Sequence, residues 1–267
     1  MEYNFSNKVV LVTGASAGIG EATALLLAKM GARLSLVGRN EKNLKSVAER
    51  CKKDGASATL NIVADLGTDE GCEKTAKKTL EHFGRLDVLV NNAAIGAVDL
   101  IEKGDMAVFD KLFNVNLRSV YNLTRLLVPA LIASKGNIVN VSSLAGTWVN
   151  KGAVSYSMAK AALDHFTRLI ALELGPKGVR ANTVSPGITI SQFHQRMTGE
   201  SDEQYQDFLT RTSKIIPLGE PCTSEDIGKM IVHIASDHSR MVTGTLVLVD
   251  GGLQFSSLGD VLTETLK

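Results

Sequence analysis

Three cysteines, Cys51, Cys72 and Cys222, are too few and too scattered to staple a fold or hold zinc: they match no ligand spacing, and any pairing leaves one over. Free, reduced thiols are expected. Charge of one sign is missing too. The 29 basic and 28 acidic residues leave a formal charge of +1, so no field draws the molecule to nucleic acid or an anionic membrane. No apolar run approaches the roughly 18 residues of a membrane span, and residues 1–8 lack the apolar core of an export leader. A cytoplasmic protein with neither nucleic-acid nor membrane partner is expected. The five histidines are scattered, and no group of His, Asp, Glu and Cys has ligand spacing, so no catalytic metal is expected. Internal repeats and low-complexity tracts are also lacking.

What the chain does have is alternation. Short β-branched or aliphatic runs at 9–12, 34–37, 59–63, 86–90, 138–141, 180–184 and 246–249 predict seven strands. Stretches of helical spacing fall between them at 19–30, 41–53, 69–83, 105–133, 155–174 and 224–236, the fourth carrying Pro129, which should bend it. Such alternation predicts one α/β domain spanning 1–267: a doubly wound parallel sheet of seven strands with helices on both faces. One segment breaks the rhythm. Pro186, Pro217 and Pro221 bracket a long connection, about 187–221, containing Phe193, His194, Met197 and Phe208. Its aromatic and Met content favours a substrate lid over a polar linker, and it begins at the carboxyl end of a strand, where open sheets bind ligands. His194 is expected to be a solvated loop residue.

The first strand runs into Thr13-Gly14-Ala15-Ser16-Ala17-Gly18-Ile19-Gly20, and a helix follows at once. Glycines let the backbone turn tightly and approach a pyrophosphate, whose charge is drawn to the free N–H groups and positive end of the helix. Further along stand Asp65-Leu66, Asn91-Asn92-Ala93-Ala94, Asn116, Ser142-Ser143, Tyr156-(x)3-Lys160, Pro186-Gly187 and Val249-Asp250-Gly251-Gly252. In this order and spacing, from Lys8 to about Leu253, the chain resembles the short-chain dehydrogenase/reductase family and its Rossmann-type fold. Ala94 replaces the usual glycine, and Ser191 stands where a threonine commonly follows the Pro-Gly turn.

The resemblance implies a nicotinamide cofactor along Gly14, Ser16, Gly18, Ile19 and Gly20, then Asp65 and Leu66, with Asp65 accepting from the adenine amino group. Asn92, Pro186 and Gly187 complete the cofactor wall, while Ile188 and Thr189 approach the nicotinamide carboxamide and pyrophosphate. Asn91 shapes the loop on that side. Loop hydrogen bonding is the other role open to Asn92. An NAD enzyme places a carboxylate about 20 residues beyond the glycines for the ribose diol. Here that position is Gly38, followed by Arg39, whose guanidinium suits a 2′-phosphate. NADP (NADPH) is therefore the expected cofactor.

Tyr156 and Lys160 share a helix face, so an ammonium near the phenol is expected to lower the tyrosine pKa and let it exchange a proton with a substrate oxygen. Family spacing selects Ser143 over Ser142 to orient that oxygen, and implies that Asn116 holds a water relaying protons to Lys160. Asn114, two residues from Asn116, faces elsewhere. A hydrolase reading of Ser143 fails because no Gly-x-Ser-x-Gly elbow surrounds it. The expected function is hydride transfer between NADP(H) and a small-molecule carbonyl or alcohol, with a hydrophobic ketone or aldehyde as substrate; Leu144, Trp148, Phe193, Met197 and Phe208 are candidate pocket residues. Two alternatives stand beside it: a beta-ketoacyl carrier-protein reductase with Lys135, Lys177 and Arg180 as its landing patch, and a non-catalytic NADP-binding protein. A homotetramer pairing helices 105–133 and 155–174 is implied by the resemblance.

Overall fold

The short apolar runs and the helical spacing between them produce the layered sheet that they predict. The computed structural model describes residues 3–149 and 151–256. Its main sheet holds β1 (Val9–Thr13), β2 (Arg33–Gly38), β3 (Ala58–Val63), β4 (Val88–Asn91), β5 (Asn137–Val141), β6 (Arg180–Pro186) and, after a long excursion, β9 (Leu246–Val249). All neighbours are parallel, in the order β3-β2-β1-β4-β5-β6-β9. The chain winds outward from β1 to β3 and then returns to β4, so the carboxyl ends of β1 and β4 part at a switch point, where such sheets bind ligands.

Helices cover both faces. Along β1, Val10 and Val12 pack with Leu27, Ile227 and Ile231 from α1 (Gly18–Lys29) and α9 (Ser224–Ala235), with α2 (Glu41–Lys53) beside them. Val9 and Leu11 point the other way, into a cluster with Leu123, Leu127 and Ile170. That second layer comprises α3 (Asp69–Phe83), α5 (Ser119–Ser134) and α6 (Val154–Leu174). Burial on both faces explains why the strands read as continuous apolar runs.

The stretch expected as one helix over 105–133 divides. It forms α4 (Met106–Phe113), a π-helical turn at Asn114–Arg118, and α5. The change of winding lies upstream of Pro129, around Asn116. The connection between β6 and α9 also has structure of its own: β7 (Thr189–Ile190), α7 (Gln192–Thr198), α8 (Asp202–Ser213) and β8 (Cys222–Thr223), with β7 and β8 paired in parallel. Ser191 caps α7 by accepting from Phe193 N–H, Gly199 ends it at φ +76°, and Ser201 with Gln204 forms a capping box on α8. His194 is not the solvated residue expected. It stacks on Phe208 with ring centroids 3.9 Å apart and meets Glu200 at 3.0 Å, so the two short helices share a small core. All three cysteines are free thiols.

Candidate active site

Between β1 and α1 the backbone turns at Gly14 and Gly18, with φ of +66° and +58°. Bulk is excluded here: a Cβ on Gly14 would stand 2.8 Å from Asn92 Nδ2, and one on Gly20 would stand 2.3 Å from the Gly14 carbonyl. Ala17 offers no side-chain cap to the first turn of α1, leaving its N–H groups to an outside acceptor. These features fit a diphosphate. Asn92 serves this turn from behind, donating to the Thr13 carbonyl at 2.9 Å, while the Thr13 hydroxyl accepts from the N–H groups of Asn92 and Ala93. Its side chain therefore braces the loop. Asn91 turns inward to Asn140 and Thr124, joining a buried polar chain that continues from Asn140 to Thr167.

Beyond β2, Arg39 is exposed and shares a shallow surface hollow with Val63, Ala64, Asp65, Thr68, Glu70, Gly71 and Lys74. Asp65 folds into a turn, accepting the Gly67 N–H at 3.0 Å, and Leu66 is buried behind it. Ser16 lies over Gly38, where a Cβ would stand 3.1 Å from its hydroxyl. On the opposite wall, Gly187 donates to the Val249 carbonyl, and a Cβ on it would stand 2.6 Å from that of Asp250. This close approach explains the glycine of Pro186-Gly187 and the coupled run Val249-Asp250-Gly251-Gly252. Ile188 joins the small apolar cluster of Leu144, Ile216 and Leu253, and Thr189 begins β7.

The chemistry-bearing groups meet at the carboxyl end of β5. Ser143 caps a 3-10 turn (Leu144–Gly146), accepting from Ala145 N–H at 3.2 Å. Tyr156, 8% exposed, and Lys160, 2% exposed, project from successive turns of α6. The Lys160 ammonium lies 5.7 Å from the Tyr156 ring centroid and donates to the Val141 carbonyl at 2.9 Å. The phenol pKa is not lowered as expected. Burial pushes Tyr156 up to about 12, only partly opposed by the neighbouring Ser143 hydroxyl, and pushes Lys160 down to about 8. Desolvation dominates at both groups because both are sealed from water.

The Asn116 side chain is committed to the loop after β4: its Oδ1 accepts from the Ile95 N–H and its Nδ2 donates to the Ile95 carbonyl, both at 2.9 Å. A residue with no spacing signal completes the arrangement: Asp99, from that same loop, accepts from the N–H and hydroxyl of Ser155 at the start of α6. The connection after β6 lies over this group. Phe193 sits 5.7 Å from the Tyr156 ring, and Met197 and Phe193 press so closely on Gly96 that a Cβ there would stand 2.8 Å from the methionine sulfur. Of the remaining candidate pocket residues, Leu144 and Trp148 belong to the cluster with Ile216 and Leu253, and Phe208 is taken up by His194. Among the described residues no metal-holding group occurs, and no helix is long and apolar enough to cross a membrane.

Residues 14–254 match the family model described as enoyl-(acyl carrier protein) reductase. The chain is 35% identical over 248 residues to the 3-oxoacyl-[acyl-carrier-protein] reductase FabG of Thermotoga maritima, covering 92% of this chain and 97% of that one. It is 32% identical over 254 residues to carbonyl reductase [NADPH] 2 of Sus scrofa, covering 94% and 98%. Among solved structures, a short-chain dehydrogenase/reductase of unknown function from Caenorhabditis elegans, crystallised with cofactor, superposes with a TM-score of 0.91 at 35% identity. The match covers 96% of this chain and 98% of that one.

Proposed function

Starting from a chain that belongs to the short-chain dehydrogenase/reductase family of oxidoreductases, we propose that it is an NADP(H)-dependent reductase of hydrophobic ketones and aldehydes. The observation that carries this reading is the convergence of Tyr156, Lys160 and Ser143 at the carboxyl end of β5, roofed by Phe193. The turn at Gly14, Ser16, Gly18, Ile19 and Gly20, with Asp65, Leu66, Asn92, Pro186, Gly187, Ile188 and Thr189 along it, would hold a nicotinamide nucleotide, which when bound would supply the hydride. Ser143 hydrogen-bonds the substrate oxygen and fixes its direction, and Tyr156 gives it the proton. Lys160 supports the charge that develops on the phenolic oxygen. Asn116 contributes by holding the loop that bears Ile95. Segment 187–221 is the lid, with Phe193 and Met197 excluding water above Tyr156.

A tyrosine pushed up to about 12 carries its proton at neutral pH, the protonation state from which reduction of a carbonyl starts. Arg39, exposed beside the adenine-side hollow, is the cation that selects NADP. The carrier-protein alternative draws on the similarity to the Thermotoga maritima enzyme, but its landing patch fails on position. Lys135 and Lys177 precede β5 and β6, and Arg180 opens β6, at the end of the sheet opposite Ser143. Arg180 is moreover committed to the carbonyls of Val242, Ile234 and Ser236. The same reading makes the enzyme a cytoplasmic homotetramer, supported by the apolar groups that α5 and α6 expose at Tyr121, Leu169 and Leu172.

NADPH oxidation with a panel of apolar ketones and aldehydes, beside 3-oxoacyl thioesters of carrier protein and of coenzyme A, tests it. Turnover of the free carbonyls is expected. Preference for the carrier thioester would install the alternative, and nucleotide binding without any turnover would make the protein a non-catalytic NADP binder.

A further inference from the structure

Asp164 lies one helical turn beyond Lys160 on α6, four residues further from Tyr156, with only 4% of its surface exposed. Among the described residues neither carboxylate oxygen has a hydrogen-bond partner. An unpartnered buried carboxylate is costly, and replacing such a group by an apolar side chain often stabilises a fold. Its position argues for a use. The 3-10 turn that begins at Ser143 presses on it, since a Cβ on Gly146 would stand 2.6 Å from Asp164 Oδ2 and 3.1 Å from the Lys160 carbonyl carbon. Ser142 is near enough to favour the charged carboxylate, yet donates its hydroxyl to the Lys160 carbonyl at 3.3 Å. Asp164 thus sits where the turn bearing Ser143 meets the helix bearing Tyr156 and Lys160.

We propose that Asp164 is a positioning residue that acts through Lys160: its sealed carboxylate keeps the lysine ammonium charged and so sets the upper pH limit of the reaction.

Other charges around it are few. On α6 only Lys160 and Arg168 act on Asp164, and Arg168 is exposed. Of the elements packed on α6, β6 brings Arg180, tied to three carbonyls, and α4 brings Asp110 and Lys111, both exposed. The π turn brings Arg118, paired with Asp69, and the turn before β6 brings the exposed Lys177. Burial raises the Asp164 carboxyl to about 6 and lowers Lys160 to about 8, each partly opposed by the other's charge. Between these values both are charged. Below about 6 Asp164 is neutral, while the lysine is protonated regardless; near 8 the carboxylate is ionised and delays loss of the lysine proton.

The catalytic consequence rests on the proposed function; the coupling itself does not. The experiment is therefore a titration of the free protein by carbon NMR of labelled lysine, with Lys160→Arg identifying the buried resonance, in wild type, Asp164→Asn and Asp164→Leu. The Lys160 midpoint is expected near 8 in wild type and about one pH unit lower in both variants, the smaller of the effects seen for a close opposite charge. If the asparagine variant does not fold, the leucine variant carries the same comparison. Wild type gives a reading without either, because the Lys160 resonance must also sense Asp164 titrating near 6. A lysine blind to that step, or variant midpoints coincident with wild type, overturns the proposal. The alkaline limb of the reductase pH profile should move down with the lysine midpoint. A fixed limb in an enzyme that Tyr156→Phe inactivates sinks the Asp164 role alone, whereas absence of carbonyl reduction in wild type sinks the functional reading and leaves the titration standing.

Discussion

Asp99 accepts two hydrogen bonds from Ser155, at 2.9 Å from its N–H and 2.5 Å from its hydroxyl, and Ser155 immediately precedes Tyr156. The carboxylate caps the helix that carries the proposed proton donor, and a parallel bridge from Asp99 to Ala153 holds the two loops together. The phenol is thereby placed from outside its own helix.

Asp99→Ala should remove this cap and let the start of α6 fray. A loss of about 1 to 2 kcal/mol in stability is expected for a charged cap, with kcat falling more than nucleotide affinity, because the glycine turn lies on another element. Asp99→Asn keeps an acceptor and should restore much of both. Thermal melts and steady-state kinetics on the two variants decide it; equal damage in both would show that charge, not the cap, matters.

Tyr156→Phe deletes one hydroxyl from a ring that is otherwise packed near Phe193. Fold and cofactor affinity should persist while turnover drops by about 10² to 10⁴, the usual contribution of a positioned acid. A variant that keeps half the wild-type rate would remove Tyr156 from the mechanism.

Lys160→Met should stabilise the free protein while abolishing most turnover. Burial lowers the native lysine from its ordinary 10.5 to about 8, so the unfolded chain binds the proton more tightly and the ammonium destabilises the fold at every pH below 8. That penalty is roughly 3 kcal/mol at about 1.4 per pH unit, offset by about 1 for the lost bond to the Val141 carbonyl. The variant's advantage in urea unfolding should be full at pH 7 and shrink as pH rises from 8 towards 10.5. A constant difference across that range would show that repacking, not charge, is responsible.

The contrast between Tyr156 and Asp99 shows what the sequence could reveal. Tyr156 and Lys160 share a helix, so four-residue spacing alone brings them together, and the glycines before α1 are legible for the same local reason. Strands buried on both faces also announce themselves as apolar runs. Asp99 meets Ser155 across 56 residues of chain, and Asp164 meets Gly146 from another element, so no spacing carries either contact. Asn116 was legible as a residue with a task, but its clamp on Ile95 was not, because it depends on the loop beyond β4. The shifts of Tyr156 and Lys160 were missed because desolvation is a property of the packed fold, whereas charge proximity can be read from spacing.

Gly96 tests the lid. A Cβ there would stand 2.8 to 3.0 Å from Met197 and Phe193, the flexible ends of side chains on α7. Gly96→Val should therefore push α7 outward with little loss of stability, raise KM for apolar ketones several-fold, and leave nucleotide binding unchanged. Unchanged KM with large and small substrates alike would remove α7 from the substrate site.

In the proposed function, cofactor choice turns on two adjacent residues at the end of β2. Gly38 provides no carboxylate for a ribose diol, and Arg39 stands exposed with a guanidinium suited to a 2′-phosphate. Arg39→Ala should weaken NADPH about tenfold, the ~1.5 kcal/mol lower end for a hydrogen bond to a charged group, chosen because the site is wet. NADH should hardly change. In Gly38→Asp a new carboxylate would repel the phosphate and accept from both hydroxyls of an unphosphorylated ribose. Its Cβ would stand 3.1 Å from the Ser16 hydroxyl, so that side chain must yield by a few tenths of an ångström, which a surface serine rotor can do. The two substitutions together should reverse the preference. Because the Arg39 contact is solvent-exposed, the wild-type advantage for NADPH should also narrow as ionic strength rises. Dissociation constants of both nucleotides, measured for wild type and the three variants at low and high salt, settle the matter: tighter NADH binding by wild type, or equal weakening of both by Arg39→Ala, would leave NADP selection without its cation.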